Sequence, residues 1–272
     1  MLRETWALTV RELKHWYRVK IQVFMTILQP IVWLGLFGQA FNIGGLIPKE
    51  QIAVFFSGAP DYFSFMALGM LAVNALFTCM FSGMSIVWDR RFGFLNKLKV
   101  APIPRGAVPL SRILATVIRS MIQVTIVLVI ALAFAYVPGL TGLSLKAGFS
   151  LMDLMGMFFV LFLLSVAFAA LFTTVALAVE NQETLFGLIN LLNLPLMFAS
   201  AALFPTAMMP EWLASIANYN PLTWAADALR QFAFVDTAPI HDLGFDILGL
   251  VAVAIAISAI SVVASRKLLS NK

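Results

Sequence analysis

Long apolar stretches separated by shorter polar segments form the main pattern of this chain. A helix that crosses about 30 Å of hydrocarbon needs about 20 consecutive apolar residues. Six stretches have that length and predict six membrane-spanning helices: 21–42, 62–87, 113–137, 154–179, 184–204 and 243–265. The predicted fold is therefore an all-α integral membrane domain that covers residues 1–272.

The first twenty residues have a different, amphipathic pattern. Apolar residues recur every three or four positions and so share one helical face: Leu2, Trp6, Val10, Leu13 and Tyr17. Arg11, Lys14 and Arg18 occupy another face. This pattern predicts a helix over 1–20 that lies in the membrane interface. The alternative is a plain charged lead-in to the first span. The segment is too charged for a secretory signal, and no small-residue cleavage site follows it.

Composition agrees with a membrane solvent. Hydrophobic residues make up 61% of the chain and charged residues only 11%, whereas a soluble domain carries about 25% charged residues. Too little polar surface remains to cover a globule in water. The single cysteine, Cys79, lies in an apolar run, where we expect it to pack as a small hydrophobic residue.

The net charge of +5 follows the predicted topology. Counting Arg119 near the start of the third span, fifteen of the eighteen lysines and arginines lie before the first span, between the second and third spans, or after the sixth. The other side receives only Lys49, Lys146 and Arg230. The positive-inside rule then predicts that both termini are cytoplasmic, and it explains the basic excess without a nucleic-acid partner. Arg119, within the third span, is expected to reach the cytoplasmic headgroups.

The loop at 88–105 is predicted to be cytoplasmic and carries an unusual mixture of side chains. Asp89 is a candidate N-cap for a short helix, and Pro102 would end it. Among its cations, three apolar residues would form one patch: Phe94, Leu95 and Leu98. Exposed apolar residues flanked by charge are typical of a docking surface for a soluble partner. An ordinary basic loop whose apolar residues lie against the membrane is the alternative.

The segment 205–242 is predicted to be external. It is too apolar for a solvated loop, and its prolines prevent it from spanning the bilayer. Trp212, Tyr219 and Trp224 suit the outer interface, where aromatic rings lie at headgroup depth. We predict a short interfacial or re-entrant hairpin over the outer end of the bundle, either a lid that faces a cavity or a structural plug.

The sequence has no motif for catalysis or for a cofactor. A GxxxxGK[ST] phosphate loop, an HExxH zinc motif and a GxSxG nucleophile motif are all absent. His15 and His241 are predicted on opposite sides of the membrane, so they cannot share a metal ion. We therefore predict no catalytic, cofactor-binding or metal-binding residues in this chain. No charge lies deep in a predicted span, which disfavours a secondary transporter driven by an ion relay.

Polar residues within the predicted spans include the amides Asn74, Gln123, Asn190 and Asn193. They could line a substrate path. They could also hold helices together by hydrogen bonds, which is the more common role of polar residues within membrane helices.

Two stretches are similar to the ABC-2 type permeases, a family that includes drug-resistance exporters and exporters of lipid-linked glycans and nodulation factors. The first stretch resembles the family's coupling loop through Asp89-Arg90, Phe92-Gly93-Phe94-Leu95 and Val100-Ala101-Pro102. The second resembles its C-terminal signature through Asn193-Leu194-Pro195-Leu196, Phe204-Pro205, Met209-Pro210-Glu211-Trp212-Leu213 and Asn220-Pro221-Leu222-Thr223. The chain departs from the family at Arg91 and Lys97, usually glutamates, and at Pro104, usually serine.

The resemblance implies the permease subunit of an ATP-driven exporter in the cell membrane. A separate ABC ATPase would hold ATP and Mg²⁺ and would bind a coupling helix formed by Asp89, Arg90, Arg91, Gly93, Phe94, Leu95 and Leu98. Its groove would be acidic to match Arg91 and Lys97. The signature of the outer hairpin would be Phe204, Pro205, Pro210, Trp212, Asn220 and Pro221. A second permease copy would complete a path for a hydrophobic or amphipathic substrate. The alternatives are export or flipping of a lipid-linked glycan and a membrane scaffold that transports nothing.

Overall fold

The computed structural model describes residues 2–40, 52, 54–91, 106–179, 181–235 and 239–270, which form helices and turns without any β-strand. The α-helices in this part of the chain are α1 Leu2–Arg18, α2 Lys20–Ala40, α3 Tyr62–Arg91, α4 Ala107–Ala133, α5 Leu151–Ala178, α6 Gln182–Phe198, α7 Glu211–Asn218, α8 Pro221–Ala233 and α9 Leu243–Ser270. Short 3₁₀ helices follow at Phe134–Tyr136 and Thr206–Met208. The all-α prediction is confirmed.

Four of the described helices are long and apolar enough to cross a membrane. Their spans are Tyr62–Gly83, Ala107–Tyr136, Leu151–Ala178 and Leu243–Ala264. These coincide with the predicted second, third, fourth and sixth spans. Helices α2 and α6 occupy the two other predicted spans, and the count of six stays a prediction.

Helix α3 lies at the centre of the bundle. In the most apolar part of its span, 94% of the residues are buried, whereas the corresponding share in α9 is 17%. Helices α2, α4, α5, α6 and α8 all contact α3. Small residues allow the close approach, because a Cβ atom at Gly83 would lie 3.0 Å from the carbonyl oxygen of Phe172.

Helix α6 is shorter than the predicted fifth span, 184–204, because it ends at Phe198. Pro195 in its last turn lacks the N–H that would bond to the Leu191 carbonyl, which weakens the helix near its end. The next residues turn back towards α3, and Ala201, Ala202 and Leu203 are buried there. The apolar run therefore continues past the helix into a packed turn.

Helix α5 begins with a capping box. The Ser150 side chain accepts a hydrogen bond from the Asp153 N–H, and the Asp153 carboxylate accepts one from the Ser150 N–H at 2.8 Å. Lys146, from the preceding loop, lies 2.8 Å from Asp153. The loop between α4 and α5 is thus fixed to the start of the next helix.

Candidate functional site: the ends of the helical bundle

Most of the predicted coupling loop, residues 92–105, lies outside the described residues. Four of the predicted coupling residues are in that range: Gly93, Phe94, Leu95 and Leu98. Asp89, Arg90 and Arg91 lie in the last turn of α3, which continues without interruption to Arg91. The prediction that Asp89 begins a new helix is wrong, since no glycine or proline interrupts the chain between Gly83 and Gly93.

Helix α1 packs against α4 through a face that the hydrophobic pattern did not indicate. The residues that face the protein recur at helical spacing: Thr5, Thr9, Glu12 and Trp16. The apolar residues Leu2, Trp6 and Tyr17 are exposed instead. An exposed apolar face is what a helix at a membrane surface would present to lipid.

An ion pair fastens α1 to α4. Glu12 binds Arg112 and also accepts from Arg11 at 2.8 Å. The side chains of Glu12 and Arg112 are only 9% and 8% exposed. A buried pair of this kind is costly to break, because either charge would be left without its partner.

Arg119 does not extend outwards as predicted. It is 7% exposed, and its guanidinium lies 5.5 Å from the centroid of the Trp16 ring. Helix α1 covers the position, so a cation–π contact replaces the expected contact with headgroups.

Hydrogen bonds between α3, α4 and α5 form a polar seam through the bundle. The seam consists of the contacts Thr78–Gln123, Ser82–Thr116 and Ser120–Ser165, with the Cys79 thiol donating to the Ser165 carbonyl. All these side chains are buried. The seam joins helices of one chain to each other, as polar residues in membrane bundles often do.

The four amides predicted as path or packing residues lie in different surroundings. Gln123 belongs to the polar seam. Asn74 and Asn193 are buried, and the Oδ1 atom of each lacks a hydrogen-bond partner within the described ranges. Asn190 is half-buried on α6. The choice between a path and a packing role stays a prediction for all four.

At the predicted outer end, Arg230 of α8 anchors the turn that follows α6. Its guanidinium donates to the carbonyl oxygens of Ala201 and Ala202, both at 2.9 Å, and of Phe65 at 3.2 Å. It also lies 3.5 Å from the centroid of the Phe65 ring. Arg230 is fully buried, so these contacts replace its hydration.

The same turn rests directly on α3. The Tyr62 hydroxyl donates to the Leu203 carbonyl at 3.2 Å, and the Thr223 hydroxyl accepts from the Ala201 N–H at 2.9 Å. A Cβ atom at Gly69 would lie 1.6 Å from the Ala202 carbonyl oxygen. Glycine at position 69 is therefore a condition for this contact.

Asn220 joins the end of α6 to the start of α8. Its side-chain Oδ1 accepts from the Leu222 N–H at 2.9 Å and caps α8, where Pro221 occupies the first turn. Its amide donates to the carbonyls of Leu196 and Ala199, at 2.8 and 2.7 Å, and so satisfies the end of α6. The Asn-Pro pair of the predicted hairpin signature acts as a double cap.

The other signature residues divide between buried and exposed positions. Pro205 is buried and Phe204 half-buried, whereas Pro210 and Trp212 are exposed. The side chain of Trp212 is 66% exposed and that of Tyr219 is 75% exposed. Exposed aromatic rings on α7 and directly after it are consistent with the predicted headgroup depth, which stays a prediction.

Beside the hairpin, an apolar groove of about 530 Å³ opens at the end of α6. Its lining includes Pro195, Leu196, Ile216 and Tyr219. The groove is open to the surroundings of the protein, and we expect it to accept an acyl chain or an aromatic ring.

Two carboxylates and a histidine lie together where α8 meets α9. One ligand atom of each of Asp227, His241 and Asp246 lies within 4.8 Å of those of the other two. Burial raises the pKa of Asp227, although hydrogen bonds from the His241 and Ile240 N–H groups oppose the shift. The sequence does not reveal this cluster, because Asp227 and His241 are 14 residues apart and form no recognised metal-binding motif.

A bundle of apolar helices with a buried polar seam and a helical hairpin at one end is the architecture of a helical membrane protein. Residues 3–234 match the sequence profile of the ABC-2 type transporter. The chain belongs to the ABC-2 type transporter family and is a membrane subunit of a transport system, in which a separate ABC ATPase is the expected partner.

Relatives with similar sequences include transporter permeases of two kinds. The putative transport permease ycf38 of Cyanophora paradoxa is 32% identical over 84% of this chain and 73% of its own length. The probable doxorubicin resistance ABC transporter permease protein DrrC of Mycobacterium tuberculosis is 28% identical over 85% of this chain and 76% of its own length. The daunorubicin resistance ABC transporter permease protein DrrB1 of Streptomyces coeruleorubidus is 25% identical over 86% of this chain and 76% of its own length.

Proposed function

We propose that this chain is the permease subunit of an ATP-driven exporter that moves a hydrophobic or amphipathic, drug-like or lipid-like substrate out of the cell. The observation that carries the proposal is the family match over residues 3–234, together with relatives named for doxorubicin and daunorubicin resistance. Six spans with both termini in the cytoplasm would place the coupling loop beside the ATPase. ATP and Mg²⁺ would be bound by that partner.

The surface of α6 supports an apolar cargo and a second permease copy. Helix α6 packs against α3 and only lightly against α5. Its free side carries Phe186, Leu191 and Leu194, which are 48%, 66% and 54% exposed. The apolar groove at its outer end continues this surface. A second copy facing α6 would enclose an apolar path, with Asn190 at its edge.

The end of α3 supports the proposed contact with the ATPase. The described part of helix α3 reaches Arg91, which in the sequence comes shortly before the predicted apolar patch of Phe94, Leu95 and Leu98. Burying such side chains in a groove would contribute roughly 1.5–3 kcal/mol each before ordering costs.

The test replaces Leu95 and Leu98 together by aspartate. The double variant should lose binding of the ATPase by orders of magnitude, because each 1.4 kcal/mol is about tenfold in affinity, and vanadate-sensitive transport should disappear. Membrane insertion should be unchanged. The measurements are pull-down of the ATPase and substrate efflux from vesicles.

The matched control is Leu140→Asp, the same chemical change in the exposed loop after α4, which should keep both activities. Normal ATPase binding and efflux by the Leu95→Asp/Leu98→Asp variant would refute the coupling role of the loop. Stoichiometric ATP binding by the permease alone would refute a separate motor.

A further inference from the structure

The cluster of Asp227, His241 and Asp246 fastens the outer hairpin to the last span. Asp227 lies on α8, and Asp246 lies in the first turn of α9. His241 comes from the connection between the two helices. Ligand atoms from three separate positions therefore meet within 4.8 Å of one another.

One oxygen of each carboxylate is already occupied. Asp227 Oδ2 accepts from the N–H groups of Ile240 at 2.8 Å and His241 at 3.1 Å. The Gln231 amide donates to Asp246 Oδ2 at 3.2 Å and lies 3.4 Å from Asp227 Oδ2. These contacts orient both carboxylates and leave the Oδ1 atoms for another partner.

The remaining atoms are buried without one. Asp227 Oδ1, Asp246 Oδ1 and His241 Nδ1 have no hydrogen-bond partner among the residues that the structure describes. Both aspartates are 0% exposed. His241 Nδ1 lies 3.5 Å from Asp246 Oδ1, and the imidazole stacks on the Phe245 ring at 4.6 Å. Buried polar atoms without partners indicate a missing ligand.

The charges nearby leave an excess of negative charge. Arg230 attracts Asp227, but its guanidinium is bound to three carbonyl groups and the Phe65 ring. Asp242 adds a further carboxylate at the surface. Two buried carboxylates cannot both stay ionised side by side unless a cation lies between them.

We infer that Asp227, His241 and Asp246 bind a divalent transition-metal ion, with Zn²⁺ as the best match. Imidazole nitrogen together with carboxylate oxygen suits zinc, whereas Mg²⁺ and Ca²⁺ prefer oxygen alone. Three protein ligands leave a fourth tetrahedral position for water. Ligand atoms on a tetrahedral zinc ion lie roughly 3.3 Å apart. His241 Nδ1 and Asp246 Oδ1 are close to that separation at 3.5 Å, and the other ligand atoms, within 4.8 Å of one another, would move closer by up to about 1.5 Å.

A route for the ion is present. Pro239, Ile240, His241, Asp242 and Phe245 line a surface pocket of about 340 Å³ beside the cluster. The bound ion would join α8 to α9 independently of the substrate or the ATPase.

The test measures zinc in the untagged, full-length protein reconstituted in lipid nanodiscs. After exposure to Zn²⁺ and removal of free metal, elemental analysis should find about one zinc ion per chain, and a chelator should lower the unfolding temperature. His241→Ala and Asp246→Asn should retain almost no zinc. Gln231→Met should weaken zinc binding by about 10–100-fold, because Gln231 only orients the ligands.

Two control variants separate this site from general metal binding. His15→Ala removes the other of the two histidines, and Asp242→Asn removes the neighbouring exposed carboxylate; both should keep about one zinc ion per chain. Zinc below about a tenth of an equivalent in the wild type would overturn the inference in favour of a proton shared by the two aspartates. Unchanged zinc in folded His241→Ala or Asp246→Asn would overturn it too, and the wild-type measurement decides even where a variant does not fold.

Discussion

At the residue scale, single side chains decide whether the outer turn can rest on α3. Arg230 supplies the donors for that turn, and Gly69 supplies the space. A membrane interior offers no water to satisfy the carbonyl groups of an irregular turn. The guanidinium of Arg230 therefore takes a role that solvent would have in a soluble protein.

Gly69→Ala should destabilise the protein by at least about 1–3 kcal/mol, the usual cost of overpacking. The new methyl group would meet the Ala202 carbonyl oxygen, which is backbone and cannot move away alone. Gly187→Ala is the matched control, because nothing lies within 4 Å of a Cβ atom there and alanine favours a helix. Thermal unfolding in detergent compares the two. Equal unfolding temperatures for both variants would contradict the contact between α3 and the turn.

At the element scale, helix α1 shows what periodicity can and cannot predict. The spacing of Leu2, Trp6 and Tyr17 predicts a helix, and the helix is there. In water the apolar face would turn inwards, but beside a membrane lipid also accepts apolar side chains. The face of Thr5, Thr9, Glu12 and Trp16 meets α4 instead, because hydrogen bonds and the Glu12 ion pair need protein partners.

The same limit explains the other differences from the sequence. Residues 199–204 are as apolar as a span, so hydropathy could not reveal the turn after Phe198. Asp227, His241 and Asp246 come from separate positions, and only the packing of α8 on α9 brings them together. The four long apolar spans were predictable from the sequence because the thickness of the bilayer sets their length, whereas the end of α6 and the contacts between helices depend on tertiary structure.

Breaking the ion pair between α1 and α4 should release α1. Glu12→Lys places a cation beside Arg112, and the loss of a buried partner costs about 3–5 kcal/mol. The expected result is faster proteolysis of the N-terminal segment in nanodiscs. Glu12→Lys combined with Arg112→Glu should recover part of the protection, because the pair is restored in reverse. Equal protection of the single variant and the wild type would show that the pair does not hold α1.

At the scale of the whole molecule, the distribution of charge predicts how the bundle crosses the membrane. The ion pair of Glu12 with Arg112 lies near the start of α4, and the cluster of Asp227 lies beside the start of α9. Residues that follow the positive-inside rule are concentrated at the first end. The predicted inner and outer surfaces therefore differ in both charge and architecture.

Cysteine labelling tests this orientation in a Cys79→Ala background. Leu140→Cys, in the exposed loop after α4, should react with a membrane-impermeant thiol reagent in intact cells. Lys97→Cys should react only after the cells are permeabilised. Labelling of Lys97→Cys but not Leu140→Cys in intact cells would reverse the topology, and Cys79→Ala alone provides the background.

The contact of the outer turn with α3 has a mechanical consequence. Helix α3 is 30 residues long, about 45 Å at 1.5 Å per residue, and it has no proline. Its predicted inner end leads into the loop proposed to meet the motor, and Tyr62, Phe65 and Gly69 hold the turn at the other end. A movement of the ATPase at the inner end of α3 would tilt the whole helix as a rigid body. The turn at its other end would then move together with the ATPase, because no flexible segment within α3 separates the two.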